Sequence, residues 1–132
     1  MIKPINPPRE KWMAEFNERL PRIVQALREK LDPEKIILFG SWARGDFRES
    51  SDVDLVIVKK TDARWIERVL EAANAIPYEE LVRYEFDILV YTPDEFLELK
   101  NSRRFVREIA QEGKTVYERK WPGKSLSASK SC

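Results

Sequence analysis

The stretch Lys35-Ile-Ile-Leu-Phe-Gly-Ser-Trp-Ala-Arg-Gly-Asp-Phe-Arg-Glu-Ser-Ser-Asp-Val-Asp-Leu-Val-Ile-Val58 decides the fold. Its opening, Lys35 to Phe39, is a short run of β-branched and aromatic residues halted by Gly40-Ser41, which predicts a buried strand ending in a turn. Its close, Asp52 to Val58, predicts a second strand, halted by Lys59-Lys60. Residues 42 to 51 contain no such run. A connection of about a dozen residues is longer than a tight hairpin needs, and such lengths are often functional.

Outward from this pair the chain alternates helix and strand. Upstream, Trp12, Phe16, Leu20, Ile23, Val24, Leu27 and Leu31 recur at steps of three and four and form one helical stripe, facing either the core or a partner. Pro21 interrupts the stripe and predicts a kink, or two helices with Pro21 in the first turn of the second. Downstream, Thr61 or Asp62 can cap a helix carrying Trp65, Ile66, Val69, Leu70 and Ala73 that ends before Pro77. Glu85 to Tyr91 reads as a third strand. Thr92-Pro-Asp-Glu95 combines a capping box with proline at the first helical position. Phe96, Leu97, Phe105, Val106 and Ile109 supply one or two short helices, with Gly113 as C-terminal cap and Thr115 to Tyr117 as a last short strand. The expectation is an α+β (α/β) fold, with one domain over residues 9–119, an irregular leader over 1–8 and a disordered tail over 120–132.

Composition narrows the chemistry. The chain has 132 residues, with 24 Lys and Arg against 23 Asp and Glu, a net charge of +1. General nucleic-acid binding shows as an excess of basic residues, so it is not expected. No apolar run approaches the ~20 residues of a membrane span, and no secretory signal is evident. The single cysteine, Cys132, cannot form an internal disulfide, and a reducing cytoplasm is the expected compartment. The sequence has no histidine, so catalysis must rest on carboxylates, Lys, Arg, hydroxyls or a hard metal ion.

Three features fall together. Asp52 and Asp54 lie two apart at a strand start and share a face, while Val53, Leu55 and Ile57 face the other way. Asp87, inside the third strand, can join them. At ~5 Å and an effective dielectric near 20, each carboxylate pair repels by about 3 kcal/mol, so three cost on the order of 10 kcal/mol without a cation. All-oxygen ligation favours Mg²⁺ or Mn²⁺ over zinc. Gly40 lets a ligand approach the backbone closely, and the Ser41 hydroxyl and following amides can bond phosphate oxygens. Arg44 and Arg48 can add charge to a polyphosphate, or be solvated, or pair with Asp46 or Glu49. Asp87 could instead pair with Arg83 or Arg104.

Gly40-Ser41-Trp-Ala-Arg44-Gly45, ten residues between Ser41 and Asp52, and then Asp52-Val-Asp54-Leu resemble the signature of the polymerase β nucleotidyltransferase superfamily. The short chain is most similar to its minimal nucleotidyltransferases, the MNT proteins. The likeness runs from Lys35 to about Glu118 and includes Phe86-Asp87-Ile-Leu-Val-Tyr-Thr-Pro-Asp-Glu-Phe96 and the closing Glu-Gly-Lys-Thr-Val-Tyr.

The resemblance implies a small mixed sheet backed by helices. It implies that Asp52, Asp54 and Asp87 bind two Mg²⁺ ions, with Asp87 also a base for the attacking hydroxyl, and that Gly40 and Ser41 hold the phosphates of a nucleoside triphosphate. The implied reaction transfers a nucleoside monophosphate, AMP from ATP, to a hydroxyl. The resemblance also implies a partner: many such proteins are encoded beside a HEPN-domain toxin and act as its antitoxin, and several transfer AMP to a tyrosine on it. A catalytically idle antitoxin that neutralises its partner by binding is the alternative. Transfer to a small molecule or an RNA end is disfavoured, because larger relatives carry an extra acceptor domain.

Overall fold

The computed structural model describes residues 9–120. The leader expected over 1–8 and the expected tail, apart from Lys120, lie outside the described residues. The chain begins with helix α1 (Arg9–Leu31), which runs unbroken through Pro21. The two-helix alternative is therefore not taken: Pro21 sits on the exposed side, where water can satisfy the carbonyl that proline leaves unbonded. Phe16, Ile23, Val24, Leu27 and Leu31 are buried, and Trp12 and Leu20 pack against the same core, so the stripe serves the fold. Asp32, at φ 51°, closes the helix by donating its N–H to the Arg28 carbonyl at 3.1 Å, and Pro33 prevents continuation.

Strand β1 (Lys35–Phe39) passes directly into helix α2 (Gly40–Arg44), and strand β2 (Val53–Val58) returns antiparallel to it. Helix α3 (Trp65–Ala75) starts later than its expected cap, because the Thr61 hydroxyl accepts from Ala63 N–H and Arg64 takes the cap position. A short helix α4 (Tyr78–Arg83) follows; proline ahead of it had marked only an end. Strand β3 (Phe86–Tyr91) then lies parallel to β2. Thr92 and Glu95 form the expected capping box of α5 (Pro93–Ser102), with bonds of 2.9 and 3.1 Å. Helix α6 (Arg104–Glu112) and strand β4 (Lys114–Glu118) complete the described chain.

The sheet has the order β3-β2-β1-β4 and is mixed. Alternation along its strands builds two cores. Ile36, Leu38, Val53, Leu55, Ile57, Ile88 and Val90 face α1 and α3. Ile37, Val56 and Val58 face α5 and α6 through Phe96, Val106 and Ile109. Asp54 shares the second face with Val56 and Val58, at the end where β1 meets α2. Among the described residues no helix is long and apolar enough to cross a membrane.

Candidate functional site

The turn after β1 is held by three constraints. Gly40 has φ +75°, and a Cβ on it would overlap the Asp54 carboxylate, so both backbone and space require glycine. Gly45, at φ 92°, ends α2 by donating its N–H to the Ser41 carbonyl at 2.8 Å. Between them Trp42 is buried, stacked between Phe16 and Phe47 with centroids 4.5 and 4.0 Å away. Its Nε1–H donates to the Ser51 carbonyl at 3.0 Å. Trp42 thus pins α2 to the core and to the segment leading into Asp52.

The parallel register sets Asp54 directly beside Asp87, and the antiparallel one sets it beside Phe39. Burial is the largest influence on the Asp54 carboxyl, followed by Asp87 and then Asp52. Together they push it up to about 6, against a weaker opposing pull from Arg44. Asp87 is exposed and has neither suggested partner: Arg83 binds Glu15 and Arg104 binds Glu108. Asp52 falls one residue before β2, which starts where Val53 N–H donates to the Glu85 carbonyl at 2.8 Å. It is exposed and outside the ladder.

A cavity of about 350 Å³ opens over Asp54 and Asp87, bounded by Phe39, Gly40, Ala43 and Arg44 on one side and by Phe105, Glu108, Ile109, Glu112 and Gly113 on the other. Asp52, Ser41 and Arg48 do not line it. Ser41 is half-buried. The Arg48 backbone N–H donates to Ser51 Oγ at 2.7 Å, and its side chain is exposed. Arg44 reaches Asp46 at 3.2 Å with both side chains more than half exposed, a weak and easily exchanged pair. The α6 wall was invisible to motif reading. Phe105 and Ile109 read as core positions, and only the packing of α6 on β1 turns Phe105, Glu108 and Glu112 into a cavity wall.

Whether the acids suit a divalent cation can be judged from their charge. Asp54 holds its proton abnormally tightly because burial and two neighbouring carboxylates disfavour its anion, and a cation placed there removes that penalty. The donors are all oxygens, as Mg²⁺ and Mn²⁺ prefer. Among the described residues no three His, Cys, Asp or Glu side chains converge closely enough to cage an ion by themselves. The acids therefore fit a cation whose remaining ligands come from elsewhere, as water and phosphate commonly supply for Mg²⁺.

Comparison with known proteins agrees with this geometry. Residues 22–121 match the family model described as polymerase beta, nucleotidyltransferase. A Methanocaldococcus jannaschii protein named "Putative protein adenylyltransferase" is 33% identical over 101 residues, covering 74% of this chain and 94% of its own. A second protein of that organism, with the same descriptive name, is 39% identical over 64 residues, 48% of this chain and 59% of its own. Among solved structures, a "putative nucleotidyltransferase" from Sulfolobus solfataricus superposes with TM-score 0.60 at 18% identity, over 88% of this chain and 94% of the other. A toxin-antitoxin structure with AMP-PNP superposes with TM-score 0.55 at 19% identity, over 76% of this chain and 73% of the other. At these identities the two structures speak to the shared fold.

Proposed function

Because the chain belongs to the polymerase beta nucleotidyltransferase family, we propose that it transfers AMP from ATP to a hydroxyl on a partner protein, as the antitoxin of a HEPN toxin. The observation that carries this reading is the apposition of Gly40, Asp54 and Asp87 at the floor of one cavity. The names of its relatives support the adenylyl group and the protein acceptor. A structural neighbour with AMP-PNP in a toxin-antitoxin complex supports the partner class.

In this reading Gly40 leaves room for the triphosphate against the backbone, the Ser41 hydroxyl donates to a phosphate oxygen, and Arg44 exchanges Asp46 for the phosphate charge. Arg48, exposed and off the cavity, is assigned no contact in this reading. Asp54 and Asp87, with the exposed Asp52 that acts electrostatically on Asp54, would hold Mg²⁺, or Mn²⁺ in its place, as two ions. When bound, these ions supply charge stabilisation to the entering and leaving oxygens. The acceptor oxygen forms a bond to the α-phosphorus, the bond from that phosphorus to the β-bridging oxygen breaks, and pyrophosphate leaves. Asp87, on the open edge strand, orients the acceptor and receives its proton.

The test is incubation with α-labelled ATP, Mg²⁺ and a HEPN-domain protein encoded beside this chain, should its neighbouring gene specify one. The partner should become labelled, and Asp54→Asn should abolish labelling. A second reading, neutralisation by binding alone, draws on the exposed position of Asp52 outside the cavity. A partner that is inhibited yet unlabelled would establish that reading in place of transfer.

A further inference from the structure

The α6 wall has a composition that suits only one part of a nucleotide. Phe105, Glu108, Ile109 and Glu112 lie at steps of three and four along one helical face and together line the cavity. Phe105 is 56% exposed, although its ring is held edge-on to Phe39, with centroids 6.1 Å apart at 81°. One aromatic face is therefore oriented and open. Glu108 is paired with Arg104 at 2.9 Å, whereas Glu112 has no polar partner among the described residues. This wall offers the cavity the Glu112 carboxylate and no lining cation, whereas the opposite wall offers Gly40 and Arg44, so the phosphates belong on the opposite wall.

The sheet order supplies the second constraint. Asp87 stands on the edge strand β3, while α6 packs over β1, on the far side of Asp54. An acceptor arriving at Asp87 enters from the open edge. With phosphates along α2 and the acceptor at β3, the nucleoside is left with the α6 wall.

We infer that Phe105 is the nucleobase-stacking residue of the site, holding the base on its open face while the phosphates lie across the cavity. This rests on the nucleotidyltransferase reading above and adds a nucleoside-positioning contact that the signature residues do not contain. Every base has a π-face, so the stack contributes affinity and placement of the nucleoside, and choice among bases falls to groups around it.

The experiment is calorimetric titration, in excess Mg²⁺, with the α,β-methylene analogue of ATP and with inorganic tripolyphosphate. Phe105→Ala should bind the analogue about tenfold more weakly, the scale of one lost base–aromatic stack, and bind tripolyphosphate unchanged. Phe105→Trp should restore analogue affinity. Unchanged tripolyphosphate binding also shows that the variant is folded. The inference is overturned if Phe105→Ala leaves the analogue unaffected, if it weakens both ligands equally, or if the unsubstituted protein binds the analogue no better than tripolyphosphate. Failure of the unsubstituted protein to bind either ligand is a different result: it overturns the transferase reading, and this inference with it.

Discussion

The carboxylate of Asp54 rests against the Cα of Gly40 and leaves no volume for a side chain at the turn between β1 and α2. The β1–α2 turn and the acid are thus a single packed unit, not two motifs that happen to be near. Gly40→Ala should therefore cost stability twice over. The positive φ adds about 1–2 kcal/mol, and displacement of Asp54 adds more. Urea unfolding checks this as a cycle: in an Asp54→Ala background the carboxylate is gone, and the cost of Gly40→Ala should fall to the φ penalty alone. Equal costs in both backgrounds would show that the two residues are uncoupled.

Asp54 gives a pH prediction with a definite sign. Its carboxyl rises from 3.8 to about 6, mainly through burial, so the metal-free folded state binds this proton more tightly than the unfolded chain. The associated stabilisation is complete below about pH 4, is lost as pH climbs to about 6, and stays lost above. Asp54→Asn should remove that loss. At neutral pH the metal-free variant should be more stable by on the order of 1 kcal/mol, a figure discounted for solvent around a partly exposed group. Mg²⁺ should then stabilise the original protein and leave the variant unmoved, as thermal unfolding across pH would read out.

Arg68 joins three elements through one nearly buried side chain. It donates to the Ala63 carbonyl at 2.8 Å, to the Val90 carbonyl at 3.3 Å and to both Glu95 oxygens at 2.7 and 3.3 Å. Arg68→Met should cost about 2 kcal/mol at neutral pH, the range for hydrogen bonds to charged groups. The Glu95 carboxyl is lowered, first by Arg68 and then by the Thr92 backbone N–H. Its contribution is present above the ordinary glutamate range and lost as pH falls through the lowered value. The gap between variant and parent should therefore narrow in acid. A gap independent of pH would assign the loss to packing alone.

Strands were legible because their signal is local. Lys35–Phe39 formed as read, and the alternation in Val53–Val58 assigned each face correctly. The capping box at Thr92 was equally readable, since all its partners lie within four residues. What failed to show depended on packing between distant segments. Pro21 sits on the solvent face of a helix whose other face is anchored on both sides of it. Helix α3 meets the core through Ala72 and Ala75, leaving Trp65, Ile66 and Leu70 exposed, which an apolar stripe alone does not reveal. Of the cavity residues, Gly40 and Asp54 were marked by spacing and Asp87 by its place in the third strand, whereas Phe105 and Glu112 join them only because α6 folds back over β1.

Trp42 yields the last prediction, because it links fold to site through two separable contacts. Its ring is buried between Phe16 and Phe47, so Trp42→Ala should cost about 3–5 kcal/mol and release α2 with Arg44. Trp42→Phe keeps a stacked ring but removes the N–H that holds the Ser51 carbonyl. That loss should cost about 1 kcal/mol and free the residue next to Asp52. Labelling of the partner should then fall severalfold, while tripolyphosphate affinity, which the proposed function assigns to Gly40, Ser41 and Arg44, stays as it was. Unfolding, transfer and titration measurements on this one variant separate the two roles. A Phe variant that transfers at the parental rate would leave Trp42 with the packing role alone.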